Sequence, residues 1–105
     1  MTMLPVILTT MAQEDVYDIA SYLADQSYDA SIRFHDQFDV TLERLEEMPE
    51  LGTVCRFENI GDEIRVWPVK GFRNYLIFYR IRYPEVTTIL RVLHGSTNYE
   101  ELFKK

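Results

Sequence analysis

The sequence predicts an α+β fold, β-α-α-β-β-β, with a helical hairpin packed on a twisted antiparallel sheet. Apolar residues recur at helical spacing from Ala12 to Met48, and from Ile64 onward the period changes to two. A short β-type run, "LPVILTT", precedes the first helical stretch.

Each element follows from its local pattern. Leu4 to Thr10 supply the first strand, and Thr10 with Gln13 three residues on has the spacing of a capping box that opens a helix. In "MAQEDVYDIASYLADQS" the positions Ala12, Val16, Ile19, Ala20 and Leu23 share one face, leaving Glu14, Asp15, Asp18 and Asp25 for solvent. "SYD" breaks the pattern, and Asp29 is the expected cap of a second helix that buries Phe34, Phe38, Leu42, Leu45 and Met48 and stops at Pro49. The short break makes the pair an antiparallel hairpin whose outer surface carries Asp36, Asp39, Glu43, Glu46 and Glu47. "PELGTVCRFENIGDE", with two glycines, reads as an irregular connection. "IRVWPVK", "YLIFYRIR" and "VTTILRVLH" then form a three-stranded meander, with Pro68 marking a bulge or an edge because it lacks a ladder donor. "NYEELF" suits a final helical turn.

The chain has 105 residues, suited to one domain over 1–105, and its 47% hydrophobic content argues against disorder. Cys55 is the only cysteine, which excludes an intramolecular disulfide and a thiolate metal cluster and fits a reducing, cytoplasmic setting. "MTMLPVILTT" has neither the basic start nor the cleavage site of a signal peptide, and no segment approaches the roughly 18 apolar residues of a membrane span. The net charge of −6 is unevenly distributed. Residues 1–55 carry eleven acids and two bases, and residues 56–105 carry nine bases and six acids, giving −9 and +3. Phosphate binding would have to use the second half alone, beside an acidic half that repels it, so direct nucleic-acid binding is not expected.

Alternation in the second meander strand sets Tyr75, Ile77, Tyr79 and Ile81 on one face and Leu76, Phe78, Arg80 and Arg82 on the other. In the last strand Arg91 shares a face with Ile89 and Leu93, and His94 with Leu90 and Val92. A hairpin turning about Pro84 and Glu85 sets Arg91 opposite Phe78 and one diagonal step from Arg80. With Arg65 on the neighbouring strand and Lys70 and Arg73 in the loop, this makes a cationic surface opposite the helix-covered side. Three readings stay open. It is an RNA-cleaving site using arginines with a histidine or tyrosine, a docking face for carboxylates anchored by Trp67 and the tyrosines, or a set of arginines satisfied within the chain. His94, at a strand end beside Gly95, reads first as a hydrogen-bonded structural residue, because a general base also needs a positioned partner and a pocket. His35 belongs on the surface. Two distant histidines give no support to a metal site, nothing near Cys55 marks it as a nucleophile, and no cofactor is expected.

Several stretches together resemble the RelE/ParE superfamily of small toxins from bacterial toxin–antitoxin operons. "AQEDVYDIASYLADQS" is similar to the first-helix pattern, and "LERLEEMPELG" to the L-x-x-x-P-x-x-G end of the second. "RVWPVKGFRNYLIFYRI" followed by "ILRVLHG" resembles the ParE branch most closely, through P-V-x-G-F, Y-L-I-F-Y-R and R-V-x-H-G. The resemblance implies the fold already inferred, and either of two activities: messenger RNA cleavage on the ribosome, as in RelE-like members, or inhibition of DNA gyrase, as in ParE-like ones. RelE-like members typically carry arginines where this chain has Leu76 and Thr97, and a tyrosine where it has Phe103. ParE-like members commonly carry an arginine at the position of Thr97.

What the resemblance implies is thus a ParE-like plasmid-stabilisation toxin. It would act by protein–protein contact rather than turnover, in a hetero-oligomer with an antitoxin from the same operon, with gyrase as target and no membrane partner. Arg65, Trp67, Lys70, Arg73, Arg80, Arg91 and His94 are the expected partner surface. The alternatives are a ribosome-dependent endoribonuclease using Arg80, Arg91 and His94, or a weakened relative that only binds antitoxin.

Overall fold

Thr9 and Ser27 start the two helices. In the computed structural model, which describes residues 3–56 and 63–98, α1 spans Thr10–Gln26 and α2 spans Tyr28–Glu47. The Thr9 hydroxyl accepts from the Ala12 amide at 3.1 Å, and Gln13 turns back so that Nε2 donates to the Leu8 carbonyl at 3.3 Å. The cap therefore falls one residue before Thr10, because Thr9 has the extended backbone that a cap requires. Ser27 serves both helices. Its amide donates to the Leu23 carbonyl at 2.7 Å and ends α1, while its hydroxyl accepts from the Ala30 amide at 3.3 Å and opens α2. Asp29, the expected cap, lies instead in the first turn of α2, where a carboxylate still favours the helix dipole. Deeper in the hairpin, buried Ser31 donates from Oγ to the Ala20 carbonyl at 3.0 Å.

The sheet has five strands, β1 (Val6–Leu8), β2 (Thr53–Cys55), β3 (Ile64–Val69), β4 (Phe72–Arg82) and β5 (Val86–His94), in the order β1-β5-β4-β3-β2. The meander β3-β4-β5 is antiparallel as its alternation predicts, with a register shift between Pro68 and Val69. Two features depart from the expected pattern. β1 joins β5 in parallel, so the sheet is mixed, and β2 pairs with β3 inside the connection that reads as irregular. Between Met48 and β2 a 3₁₀ turn, Pro49–Leu51, carries the chain off α2 and leaves Met48 exposed rather than buried.

The main core lies between the hairpin and one sheet face. Ala12, Ile19, Phe34, Phe38 and Leu45 pack on Val69, Ile77, Tyr79, Ile89 and Val92. Tyr79 is fully buried, and its hydroxyl donates to the Pro49 carbonyl at 2.6 Å and accepts from the Gly52 amide at 2.8 Å. These bonds pin the 3₁₀ turn to the sheet. Gly52 is required there, since a Cβ would stand 2.6 Å from the Tyr79 oxygen.

The opposite sheet face is not the cationic surface that simple alternation suggests. Ile64, Phe78 and Leu93 form a second buried apolar cluster there, flanked by Val66, Leu76 and Leu90. Leu90 explains part of the difference. Phe78 pairs with Arg91 and Tyr79 with Ile89, so Leu90 is an extra residue that resets the alternation. Ile89 consequently joins Val92 in the main core instead of sharing a face with Arg91 and Leu93. The final turn expected over "NYEELF" lies, from Tyr99 on, outside the described residues.

Candidate partner-binding surface

The seven residues singled out in the sequence fall in four places. Arg91 is committed within the chain. Its Nε and Nη2 donate to the two oxygens of Asp15 at 2.7 and 2.9 Å, and the same carboxylate accepts from the Val92 amide at 3.0 Å. β1 pairs with β5 only as far as Ile89, so beyond it the edge of β5 is free to meet α1. There Thr9 bonds the Leu90 carbonyl and Asp15 bonds the Val92 amide. The side chains are only 16% and 11% exposed, so Asp15 is not the solvated acid that its helix pattern suggests. The hydrogen bond to Asp15 raises the Arg91 pKa further above the ordinary arginine value, against an opposing effect of burial. This is a brace between the two oppositely charged halves of the chain.

Arg65 is a second brace. It projects on the Tyr79 side of the sheet, where Nη1 donates to the carbonyls of Gly52 at 2.9 Å and Glu50 at 3.2 Å, and Nη2 lies 3.6 Å from Glu63. Together with Arg80, Arg82, Tyr83 and the two glutamates it lines a hollow of about 230 Å³, in which the Tyr83 hydroxyl bonds Glu50.

His94 stands at the exposed end of β5. Its Nδ1 accepts from the Ser96 amide at 3.0 Å, which places the proton of the neutral ring on Nε2, and the ring meets Tyr75 edge-on at 5.2 Å. The neighbouring Thr97 amide donates to the His94 carbonyl at 2.9 Å, closing a turn. His94 therefore organises its own strand end, as its position beside glycine suggests.

Trp67, Lys70 and Arg73 come together. With Val40, Thr41 and Arg44 of α2, and with Pro68, they line a cleft of about 360 Å³ between α2 and the β3–β4 hairpin. Thr41 sets its shape. The Thr41 hydroxyl accepts from the Lys70 amide at 3.0 Å while donating to the Gln37 carbonyl at 2.6 Å, and Gly71 supplies the positive φ of 77° that the tight turn needs. Sequence reasoning missed Thr41, Arg44 and Asp15, yet Thr41 and Asp15 each left a trace. Thr41 sits three residues after Phe38 and four before Leu45, a polar group on a buried face. Asp15 flanks the apolar stripe at the same offsets from Ala12 and Ile19.

Arg80, Arg91 and His94 do not converge. His94 pairs with Tyr75 and Arg80 with Thr88, so five register steps, roughly 16 Å along the strand, separate them. Leu76 packs in the second apolar cluster, Thr97 closes the turn, and Phe103 lies outside the described residues. Burial raises the Cys55 thiol above its usual pKa, the wrong direction for a nucleophile. Among the described residues no three His, Cys, Asp or Glu side chains gather in metal-binding geometry, and no helix is long and apolar enough to cross a membrane.

The family model for the ParE toxin of the type II toxin–antitoxin system parDE matches residues 6–99 of this chain. Among solved structures, the chromosomal ParDE toxin–antitoxin system from P. aeruginosa is similar, with a TM-score of 0.69 and 15% identity over 88% of this chain and 96% of that one. At that identity the likeness shows the fold. No curated protein sequence matches significantly.

Proposed function

This chain belongs to the ParE toxin family of type II toxin–antitoxin systems, and on that premise we propose that it inhibits DNA gyrase by protein–protein contact and is neutralised by an antitoxin from its own operon. The dispersal of the candidate catalytic groups supports contact over turnover. Arg91 is held by Asp15, His94 is tied into its own strand end, and Arg80 lies five register steps from His94, so these three groups do not face one phosphate.

The proposal treats residues 1–105 as one toxin domain working in the cytoplasm as part of a plasmid-stabilisation module. Its partner-facing groups are Trp67, Lys70 and Arg73 in the cleft beside α2 and Arg65 and Arg80 in the second hollow, with Arg91 bracing β5 to α1 and His94 at the end of the sheet. The deciding measurement is DNA supercoiling by gyrase in the presence of purified protein, which is expected to fall as protein is added. Unchanged supercoiling, with messenger RNA cleaved within minutes of induction, would establish the ribonuclease reading instead. Co-expression with the adjacent open reading frame should yield a hetero-oligomer that co-purifies. Thr97 favours reduced potency, because it replaces the arginine common at that position among ParE-like chains, and growth rate on induction without antitoxin measures this.

A further inference from the structure

The chain has 17 acids for 11 bases, yet among the described residues three cations face one cleft without a counter-charge. Arg56, Arg65 and Arg91 each have a carboxylate within 4 Å, at 3.7, 3.6 and 2.7 Å. Arg44, Lys70 and Arg73 have none among the described residues, and none of the described residues lining the cleft that they share is acidic. They arrive from three places, α2, the β3–β4 turn and the start of β4, and all three are exposed. Like charges gathered at one site repel, so their convergence costs free energy in the isolated protein unless an anion from outside completes it. The apolar part of the cleft is equally unfinished. Val40 is 41% exposed, Trp67 is half-buried, and Pro68 beside them offers no amide to pair. The whole is preformed, since Thr41 bonds the Lys70 amide and fixes the hairpin against the helix.

We propose that this cleft is the docking site for a short acidic peptide segment of a partner protein, with carboxylates on Arg44, Lys70 and Arg73 and one apolar side chain seated on Trp67, Pro68 and Val40. The proposal rests on the reading that the chain works through protein contacts, and it selects from the broader surface the part that takes the segment. A nucleic acid fits less well. Phosphate-backbone binding at physiological salt typically engages about 6–10 cations along a stripe, whereas here three surround a single cleft on a chain of net charge −6. Rigid placement of the cations on α2 and a pinned hairpin reduces the ordering cost of binding, so a short segment suffices.

Trp67 is the only tryptophan, which makes the cleft its own reporter. The test titrates the purified full chain with a short synthetic peptide of glutamate and leucine and follows Trp67 emission. The expected result is a saturable shift that weakens with salt, and that Arg44→Glu and Arg73→Glu each weaken by about tenfold or more. Arg56→Glu makes the same change in net charge away from the cleft and is expected to stay within about twofold of wild type. All three side chains are exposed, and thermal unfolding confirms that each variant folds. An absent or non-saturable shift would overturn the proposal, as would equal weakening by Arg56→Glu. Oligothymidylate binding more tightly than the peptide, and being lost in the same variants, would reassign the cleft to nucleic acid. Gyrase takes no part in this titration, so a failed peptide response leaves the toxin reading standing, and a toxin without effect on gyrase leaves a saturable Trp67 response standing.

Discussion

Asp15 is a carboxylate that accepts three hydrogen bonds from β5 while flanking the apolar stripe of α1. Removing it strands a mostly buried guanidinium and the Val92 amide together, so Asp15→Ala is expected to cost about 3 kcal/mol in denaturant unfolding. Asp15→Asn keeps an acceptor for Val92 and should cost clearly less. Tyr79 gives the pH-dependent case. Burial raises its pKa above the ordinary tyrosine value of 10.0, so the folded state holds this proton more tightly than the unfolded chain does. Its contribution is complete below pH 10.0 and is lost as pH rises through the higher folded value, so alkaline unfolding should be less steep in Tyr79→Phe. At neutral pH the same variant should lose about 1–3 kcal/mol, because the Pro49 carbonyl and Gly52 amide lose their partner. Individual roles of this kind are poorly legible in sequence. Arg91 is visible as a candidate, but its partner Asp15 lies 76 residues away and only the fold joins them.

Ser27 joins α1 to α2 through one amide and one hydroxyl, and a side chain that caps without packing gives a clean test. Ser27→Ala should lower stability by about 1 kcal/mol while leaving the helical circular-dichroism signal of the folded protein intact. The helices themselves are plain in the sequence, because five or so apolar residues at helical spacing leave no other period. Their starts are not. Thr9 and Thr10, like Ser27 and Asp29, offer adjacent or near-adjacent cap chemistry, and the backbone conformation that decides between them depends on where the preceding strand ends. β2 is invisible for a different reason. Thr53–Cys55 is too short to show alternation, and only β3 beside it makes it a strand. The extra residue Leu90 is equally silent, since "ILRVL" alternates acceptably in either register and the pairing with β4 alone reveals the shift. That single residue separates Ile89 from the face predicted for it.

At the scale of the whole molecule, the opposite charges of the two halves mark a chain that closes on itself. Arg91 ties the basic half to α1, and Arg65 ties it to the carbonyls that follow α2. The fold class was legible because hydrophobic period is a property of long stretches, and so was the list of exposed cations near the β3–β4 turn. Which of those cations face outward was not legible, because it depends on the sheet having two buried faces rather than one. Phe78 tests that two-sided architecture. It lies opposite the helical hairpin and is fully buried with Ile64 and Leu93, so it contributes to a second core and not to a surface. Truncation there should behave as a core cavity. Phe78→Ala is expected to destabilise by about 3–5 kcal/mol, read as a lowered denaturant midpoint with little change in slope. Were the far face an open cationic surface, the same substitution would cost well under about 1 kcal/mol, as exposed positions do. Trp67 supplies the internal control, because it lies on the other face of β3 beside the cleft. Its native emission should be unchanged in folded Phe78→Ala and should shift only as the whole chain unfolds, so that stability loss and cleft integrity are measured in one experiment.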